Sequence, residues 1–386
     1  VRSRLPRELV SDVLDFAPFR YRAAVCASGL SVTLLGREGP RATLQGHAAE
    51  VLGLRFFPHG ERALTWGRDG VVVIWDSSSG QPLGRLVDEE GQVEGAQVFP
   101  EEERVATRRA NGEVVIWSIN ASEVLRVIPH SRRMLPRGHP WMARDVEVFP
   151  SGDRALTWGR DKWAVVWNVS SGAAVCKLEQ HAFAILVASV FPGGERVITG
   201  SFDRRAIIWN ASSGDVLHLL EHAHWLTGVA VLHGGELVAT ACMTKTTSIW
   251  RVGTGEFVHM LAHPTSQLLE MGYVLAPIPR RDLLATVDWG MVVIWNASSG
   301  EMLRQLVDHP MQRAVAAPGG DVLVACGGGR VSVWNVSSGE KLLMFEQHVD
   351  GDRSERVERS CLVAVGLASA LDPHGFGDGL AWRKLP

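Results

Sequence analysis

The chain has 386 residues and a formal net charge of −3, with 39 lysines and arginines against 42 aspartates and glutamates. Because one compact core stops growing at roughly 250–300 residues, this length predicts several domains or a repeating architecture. The balanced charge disfavours a nucleic-acid partner, and the lack of an apolar run of about 18 residues disfavours a membrane partner.

Residues 1–39 are predicted to form a short helical segment. Several apolar residues share one face of a helix drawn through its start, and Pro6 suits the first turn of such a helix. The apolar residues are Leu5, Leu9, Val13 and Leu14. We interpret the segment as a cap that packs on the rest of the chain.

The same segment resembles a known docking module. Leu-Pro-x-Glu-Leu at residues 5–9, followed by Val25 and Cys26, is similar to an F-box. That resemblance implies binding to a Skp-type adaptor, and it makes a substrate receptor of a ubiquitin ligase the alternative function. The module would be short, and the Trp that usually follows in the family is missing after Cys26.

Residues 40–386 carry a repeat that is marked by tryptophan. A tryptophan ends a run of apolar and β-branched residues at Trp75, Trp117, Trp167, Trp209, Trp250, Trp295, Trp334 and, more weakly, Trp382. A period of about 40–45 residues with short strands and glycine-bearing turns is typical of a β-propeller, whose blades are four-stranded sheets. We therefore predict an all-β propeller over residues 40–386.

The first repeat shows the four predicted strands of a blade. Residues 51–57 read as an inner strand, and "RALTW", "VVVIW" and "PLGRLV" follow as the second, third and edge strands. The Asp/Asn-x-Ser-Ser-Gly that follows most of the tryptophans suits a tight turn. Its acid or amide can accept hydrogen bonds from backbone amides, and its glycine tolerates a positive φ.

Polar residues recur at fixed offsets in three repeats. A histidine is followed by Thr at +18, Asp at +22 and Trp at +28. Fixed polar spacing is typical of a buried hydrogen-bond network, because such a network needs every member in place. We predict three structural tetrads: His47, Thr65, Asp69 and Trp75; His139, Thr157, Asp161 and Trp167; and His181, Thr199, Asp203 and Trp209.

Gly-His at residues 46–47 and Trp-Asp at residues 75–76, together with this spacing, resemble the WD-repeat family. The resemblance covers the chain from about residue 40 to its last residue. It implies a propeller whose His, Thr, Asp and Trp brace each blade. It also implies a non-catalytic scaffold that mediates protein–protein interactions.

The other repeats depart from this pattern at the acid position. Asn111 replaces the acid in the second repeat, which also lacks the His, and Thr244 replaces it in the fifth. In the sixth repeat Asp288 lies one place early and Trp289 takes the expected site, and the seventh has a glycine run there. We expect these blades to be less stable than the others.

The way in which the ring closes decides the number of blades. Residues 41–45 precede the first repeat and are predicted to form an edge strand that lacks inner partners. Residues 360–367 and 379–385 are candidates for its inner and third strands. We favour eight blades, the last built from both chain ends, over seven blades with the C-terminal tail packed outside.

No catalytic, metal or cofactor site is predicted. The conspicuous histidines recur once per blade, whereas zinc needs three or four ligands close together. We find no phosphate-binding loop and no HExxH motif, and the prominent His and Asp belong to the tetrads. Five cysteines without a CxxC pair suit reduced thiols, so we expect the protein in the cytoplasm or the nucleus.

The function is predicted to reside in the loops of one propeller face. Aromatic and arginine side chains dominate protein interfaces, and several occur in these loops. The predicted partner-binding residues are Arg68, Trp141, Arg160, Phe183, Phe202, Trp225, Met243 and Trp289. For Trp141 and Trp225, packing under a neighbouring blade is the alternative. We hypothesise a scaffold that holds one or more proteins or peptides on this face.

Overall fold

The structure is a computed structural model. It describes residues 20–28, 31–36, 39–89, 93–129, 143–159, 162–264, 274–279, 281–288, 290–308, 311, 313–317, 319–327, 330–346 and 362–368.

Four-stranded antiparallel sheets account for the strands of the described residues, and a 3-10 turn at His233–Gly235 is the one helical element among them. Seven of the sheets, which we call blades 1–7, each consist of four strands that are consecutive in the chain. The remaining sheet, which we call the closing sheet, combines three early strands with the last one. Ahead of blade 1 come β1 (Arg20–Ser28), β2 (Ser31–Gly36) and β3 (Gly39–Gln45). Blade 1 contains β4 (Val51–Phe56), β5 (Arg62–Gly67), β6 (Val71–Asp76) and β7 (Pro82–Val87); blade 2 contains β8 (Val93–Val98), β9 (Arg104–Arg109), β10 (Val114–Ser118) and β11 (Glu123–Ile128); and blade 3 contains β12 (Ala143–Val148), β13 (Arg154–Gly159), β14 (Trp163–Asn168) and β15 (Ala174–Glu179). Blade 4 contains β16 (Ile185–Val190), β17 (Arg196–Ser201), β18 (Arg205–Asn210) and β19 (Val216–Glu221), and blade 5 contains β20 (Leu226–Leu232), β21 (Leu237–Cys242), β22 (Thr246–Arg251) and β23 (Phe257–Ala262). Blade 6 contains β24 (Val274–Ile278), β25 (Leu283–Asp288), β26 (Met291–Asn296) and β27 (Met302–Val307), and blade 7 contains β28 (Arg313–Ala316), β29 (Val322–Gly327), β30 (Arg330–Asn335) and β31 (Lys341–Glu346). After blade 7 comes β32 (Leu362–Ala368).

The closing sheet corrects the predicted fold class. Its strand order is β3-β2-β1-β32, so the second and third positions are filled by residues that were assigned to an N-terminal helical segment. The prediction of eight blades with a short N-terminal helical segment is therefore wrong. Within the described residues, the chain has seven blades of consecutive strands and one sheet made from both ends. The predicted third strand at 379–385 and the predicted helix at 5–14 lie outside the described residues.

The strands of the closing sheet also bear on the docking-module interpretation. Val25 and Cys26 pair with Val363 and Leu362 as part of β1. Both residues thus lie in a β-strand, whereas the short docking module that the F-box resemblance implies is helical. The predicted boundary between residues 39 and 40 falls at the start of β3, the outer strand of the same sheet.

The sheets stand side by side in a ring. The first strand of each blade contacts the first strand of the next, and β32 joins the circle between β28 and β4. Each blade has a neighbouring blade on either face, so its second and third strands are buried almost throughout, as in β5 and β6. This explains why they read as continuous apolar runs instead of alternating ones. The outermost strands, such as β7, face water.

The antiparallel order of the strands divides the turns between two faces of the ring. Turns between second and third strands share one face with the loops that enter the first strands, and we call this the tetrad face. Turns between first and second strands share the opposite face with turns between third and fourth strands. We call that side the clasp face.

Candidate functional site

The tetrad of blade 1 forms a continuous hydrogen-bond chain. The Trp75 indole N–H donates to Thr65 Oγ1 at 2.8 Å, and Thr65 Oγ1 lies 2.8 Å from His47 Nε2. His47 Nδ1 lies 3.1 Å from both Asp69 oxygens. Because the indole only donates and a carboxylate only accepts, the Thr hydroxyl donates to Nε2 and Nδ1–H donates to the acid.

The acid that ends this chain remains ionised. Burial acts to raise the pKa of Asp69, but hydrogen bonds from the Ala48 N–H, the His47 ring and the Val71 N–H outweigh burial and lower the pKa. The Ala48 N–H donates at 2.8 Å, so the carboxylate also holds the loop that enters blade 1. The tetrad therefore connects two loops of the tetrad face with two buried strands.

Blade 4 repeats this geometry with greater burial. Trp209 Nε1 donates to Thr199 Oγ1 at 2.8 Å, and that oxygen lies 2.7 Å from Nε2 of the buried His181. His181 Nδ1 lies 2.8 Å from Asp203 Oδ2, which also accepts from the Ala182 N–H at 2.9 Å. Burial is the largest effect and acts to raise the pKa of Asp203, but the His181 ring and the hydrogen bonds from the Ala182 and Arg205 N–H groups together outweigh it, so the net shift is downward.

Blades 3 and 5 contain parts of the same hydrogen-bond chain. In blade 3, Trp167 Nε1 donates to Thr157 Oγ1 at 2.8 Å, while His139 and Asp161 lie outside the described residues. In blade 5, Trp250 Nε1 donates to Thr240 Oγ1 at 2.9 Å, and that oxygen lies 2.8 Å from His222 Nε2. With Thr244 in the place of the acid, His222 Nδ1 instead donates to the Leu220 carbonyl at 3.0 Å.

Blade 2 replaces the missing His and Asp with a buried ion pair that the sequence analysis missed. Arg109 Nε and Nη2 each donate to one oxygen of Asp88 at 2.8 Å, and Nη1 donates to Glu113 at 2.9 Å. Trp117 Nε1 still donates to Thr107 Oγ1 at 2.8 Å. The sequence signal that could have indicated this ion pair is Arg109 itself, a charged residue at the end of a second strand, where blade 1 has glycine.

Blade 6 explains the displaced acid. Its turn between the second and third strands is one residue shorter than in blade 1. Trp295 Nε1 accordingly donates to a Thr nine residues earlier, whereas Trp75 Nε1 donates to a Thr ten residues earlier. Asp288 therefore leaves the tetrad position and accepts a hydrogen bond from Lys245 Nζ of blade 5 at 2.6 Å. This buried ion pair joins blades 5 and 6 on the tetrad face.

Blade 7 lacks the acceptor for its tryptophan. The strand register places Ala325 where blade 1 has Thr65, since Leu323 pairs with Trp334 as Ala63 pairs with Trp75. The buried Trp334 Nε1 accordingly has no hydrogen-bond partner among the described residues. That this blade is less stable than the others stays a prediction.

A second repeated contact joins neighbouring blades on the clasp face. In blades 1–3 an arginine that opens the second strand lies over a phenylalanine five residues earlier, with 4.3–4.5 Å between the guanidinium carbon and the ring centre. Its Nη2 donates to a backbone carbonyl of the next blade at 2.9–3.0 Å. The sets are Phe57, Arg62 and Glu102; Phe99, Arg104 and Gly152; and Phe149, Arg154 and Gly194. The repeated Phe-Pro followed by Arg could have revealed this clasp from the sequence.

The tetrad face of blades 4 and 5 presents an apolar patch, which consists of Phe183, Phe202, Trp225 and Met243. All four side chains are exposed, by 61%, 43%, 41% and 38% respectively. Phe202 and Trp225 meet edge to face with 5.4 Å between ring centres. Every other exposed large apolar residue of the described chain lies on the outermost strand of a blade.

The other residues predicted to bind a partner do not belong to this patch. Arg68 lies on blade 1 and forms an ion pair with Glu50, with 3.2 Å between its Nε and Oε2. Trp141, Arg160 and Trp289 lie outside the described residues. Trp225 is exposed in the structure, so the alternative of burial beneath a neighbouring blade does not hold for it.

Neither a cluster of metal ligands nor a membrane-spanning helix occurs among the described residues. Across these ranges, His, Cys, Asp and Glu do not gather in groups of three or more that could hold a metal ion. None of the helical structure in the same ranges has the length and apolar character needed to span a bilayer.

Comparisons with known proteins agree with this architecture. The family model of the WD domain, G-beta repeat, matches residues 38–76 and 172–210. The solved structures include the crystal structure of the computationally designed Ika8 protein, which aligns with a TM-score of 0.68 and 20% identity over 82% of this chain and 93% of that one. No curated protein sequence is significantly similar to the chain. The ring of sheets is thus a β-propeller, and two segments of it, residues 38–76 and 172–210, match the WD40 repeat.

Proposed function

We propose that the protein is a non-catalytic scaffold that binds a protein or peptide through the apolar patch on the tetrad face. The observation that carries this proposal is that, among the described residues, the exposed large apolar side chains outside the outermost strands occupy only these four positions. Contiguous exposed apolar surface mostly marks interaction sites. Phe, Trp and Met are also enriched in protein interfaces.

The tetrad of blade 4 supports the proposal because it positions the patch. Phe202 directly precedes Asp203, and the Ala182 N–H that donates to Asp203 directly precedes Phe183. The Phe202 N–H also donates to the Ala184 carbonyl at 3.1 Å. Both phenylalanines therefore stand on turns that are already ordered. Binding to an ordered surface loses less conformational entropy, which favours affinity.

The backbone extends this order across to blade 5. The Met243 N–H donates to the Trp225 carbonyl at 3.3 Å, and Trp225 contacts Phe202. Backbone hydrogen bonds and one ring contact thus link the loops that carry the four side chains across two blades. Propellers with WD40 repeats generally act as protein-interaction scaffolds, which is consistent with a partner on this surface.

The test compares two double variants, each of which replaces two exposed apolar side chains with serine. Phe183→Ser with Phe202→Ser removes the rings from the patch, and Met260→Ser with Val307→Ser removes side chains on outermost strands that are each 61% exposed. Peptides are selected from a displayed library on the wild-type protein, and their Kd values are measured for both variants. We expect at least about tenfold weaker binding, or about 1.4 kcal/mol, for the patch variant alone. Equal affinities for the patch variant and the wild type would contradict the proposal.

A further inference from the structure

The fourth blade lacks the clasp by which each of blades 1–3 is joined to the next blade. Arg196 opens the second strand of blade 4 five residues after Phe191, as Arg154 follows Phe149 in blade 3. The Arg196 side chain nevertheless makes no hydrogen bond, ion pair or ring contact with any described residue. Arg196, a partly buried residue, is thus left without the partners that its equivalents have.

The reason lies in the next turn along the ring. Blades 1–4 have Phe-Pro at the end of the first strand, whereas blade 5 has Leu232 and His233. His233 adopts a φ of 50°, which proline cannot reach because its ring holds φ near about −65°. Gly234 and Gly235 follow with φ of 62° and 102°, so this turn has a different course.

The altered turn covers the phenylalanine that the arginine would otherwise cover. A Cβ built on Gly194 would lie 3.6 Å from Arg154 Nη2 and 3.7 Å from Phe149 Cδ1, so guanidinium and ring share that turn. A Cβ on Gly235 would lie 3.4 Å from Phe191 Cδ1, with no arginine atom among its nearest neighbours. Blade 5 therefore packs its glycine on the Phe191 ring, and the arginine that accompanies the ring in blades 1–3 is missing from this turn.

A cleft opens at this point on the clasp face. It has a volume of about 400 Å³ and is lined by Arg196, Asn210, Leu217 and the two glycines of the turn, among others. Asn210 Oδ1 accepts from the Ser212 and Ser213 N–H groups at 2.9 and 3.0 Å, so its amide NH₂ remains a donor. Exposed Glu195 also lines the cleft but forms no ion pair with Arg196.

We propose that this cleft between blades 4 and 5 binds an oxyanion, a carboxylate or a phosphate group, on the Arg196 guanidinium. Guanidinium recognises both groups through two parallel N–H···O bonds, and such charge-assisted bonds are about twice as strong as neutral ones. The Asn210 amide supplies a third donor beside them. Leu217, which is 39% exposed, offers apolar contact to whatever carries the anion. The site is separate from the apolar patch, because it lies on the opposite face of the ring.

Binding is tested on the full chain with pyrophosphate and with citrate, which distinguish the two sources of the oxyanion. Isothermal titration calorimetry at low ionic strength is expected to show saturable binding of at least one probe. Arg196→Gln is expected to weaken that binding at least about tenfold, because it removes the charge and the paired donors. Arg204→Gln changes the same charge at an exposed position on the opposite face, and its affinity is expected to equal that of the wild type.

Thermal unfolding separates a ligand site from a structural role. Arg104→Gln removes a formed clasp, so its Tm is expected to fall while its affinity for the probe is unchanged. Arg196→Gln removes no contact, so its Tm without the probe is expected to equal that of the wild type. The proposal would be overturned if neither probe bound, or if Arg196→Gln bound a probe as tightly as the wild type. A Tm of Arg196→Gln as low as that of Arg104→Gln would also overturn it.

Discussion

Thr199→Val tests whether the tetrad stabilises the blade that carries it. Thr199 is fully buried, and its hydroxyl accepts from Trp209 Nε1 at 2.8 Å and lies 2.7 Å from His181 Nε2. Valine has nearly the same shape, so the substitution removes the polar contacts and keeps the packing. The indole donor and the imidazole nitrogen would then both lose their partner inside the protein.

The size of the effect follows from those two groups. A buried polar group left without a partner costs about 1–3 kcal/mol, so two such groups cost about 2–5 kcal/mol after the added methyl regains some apolar contact. Domains have free energies of unfolding of about 5–15 kcal/mol, so this loss is readily measured. Urea unfolding followed by tryptophan fluorescence gives the midpoint, and calorimetry gives Tm.

Thr244→Val is the matched control for this experiment. Thr244 occupies an exposed turn of blade 5, where its hydroxyl contacts only Thr246 Oγ1 at 3.1 Å. We expect this variant to stay within about 0.5 kcal/mol of the wild type, as surface substitutions usually do. A Thr199→Val protein as stable as the Thr244→Val protein would refute the argument that the tetrad braces the blade.

Other substitutions test the same reasoning elsewhere in the ring. Ala325→Ser places a hydroxyl near the unpartnered Trp334 N–H, so the free energy of unfolding measured in urea should rise by about 1 kcal/mol, and a lower value would show that the site has no room for the oxygen. Arg109→Met takes the bidentate partner from buried Asp88 and should cost about 3–5 kcal/mol, of which Asp88→Asn in the same chain should recover part; no recovery would argue against an electrostatic cause. Glu147→Gln tests a titration: burial, the largest effect, raises the pKa of Glu147 to about 8, although the Val190 N–H and Arg55 act to lower it. The unfolded chain ionises this carboxyl near its ordinary pKa of 4.5, so its contribution to stability is present below pH 4.5 and is lost as the pH rises toward 8. The variant should therefore flatten the dependence of Tm on pH between these values and exceed the wild type in stability at pH 8.5; parallel Tm curves would contradict the raised pKa.

The repeated features of the protein were predictable because they are local and recur. His47, Thr65, Asp69 and Trp75 occupy one blade, and their spacing is set by strand lengths that any other blade must share. Where the pattern fails, the sequence indicates only that something differs. That Asp288 turns to Lys245, and that Arg109 takes over from a missing His, depends on which side chains of neighbouring blades lie within reach.

The apolar patch shows the same division. Phe183, Phe202, Trp225 and Met243 were predicted from their places in loops, since loop residues need not support the fold. The sequence could not separate them from Arg68, which lies on another blade beside Glu50. Contact across a loop face depends on how blades are arranged around the ring, and no local pattern records that arrangement.

The sequence by itself determined the blade: its period, its four strands, its turns and the polar chain that braces it, because each of these is specified within one repeat. Only the tertiary structure decided which residues fill the second and third positions of the sheet that closes the ring. Strand β1 pairs with β32 from the opposite end of the chain, and β1 and β2 bear no Trp to mark them as part of a repeat. Closure is driven by the need to pair free sheet edges and cover apolar faces, and that need exists only once the other blades have been assembled.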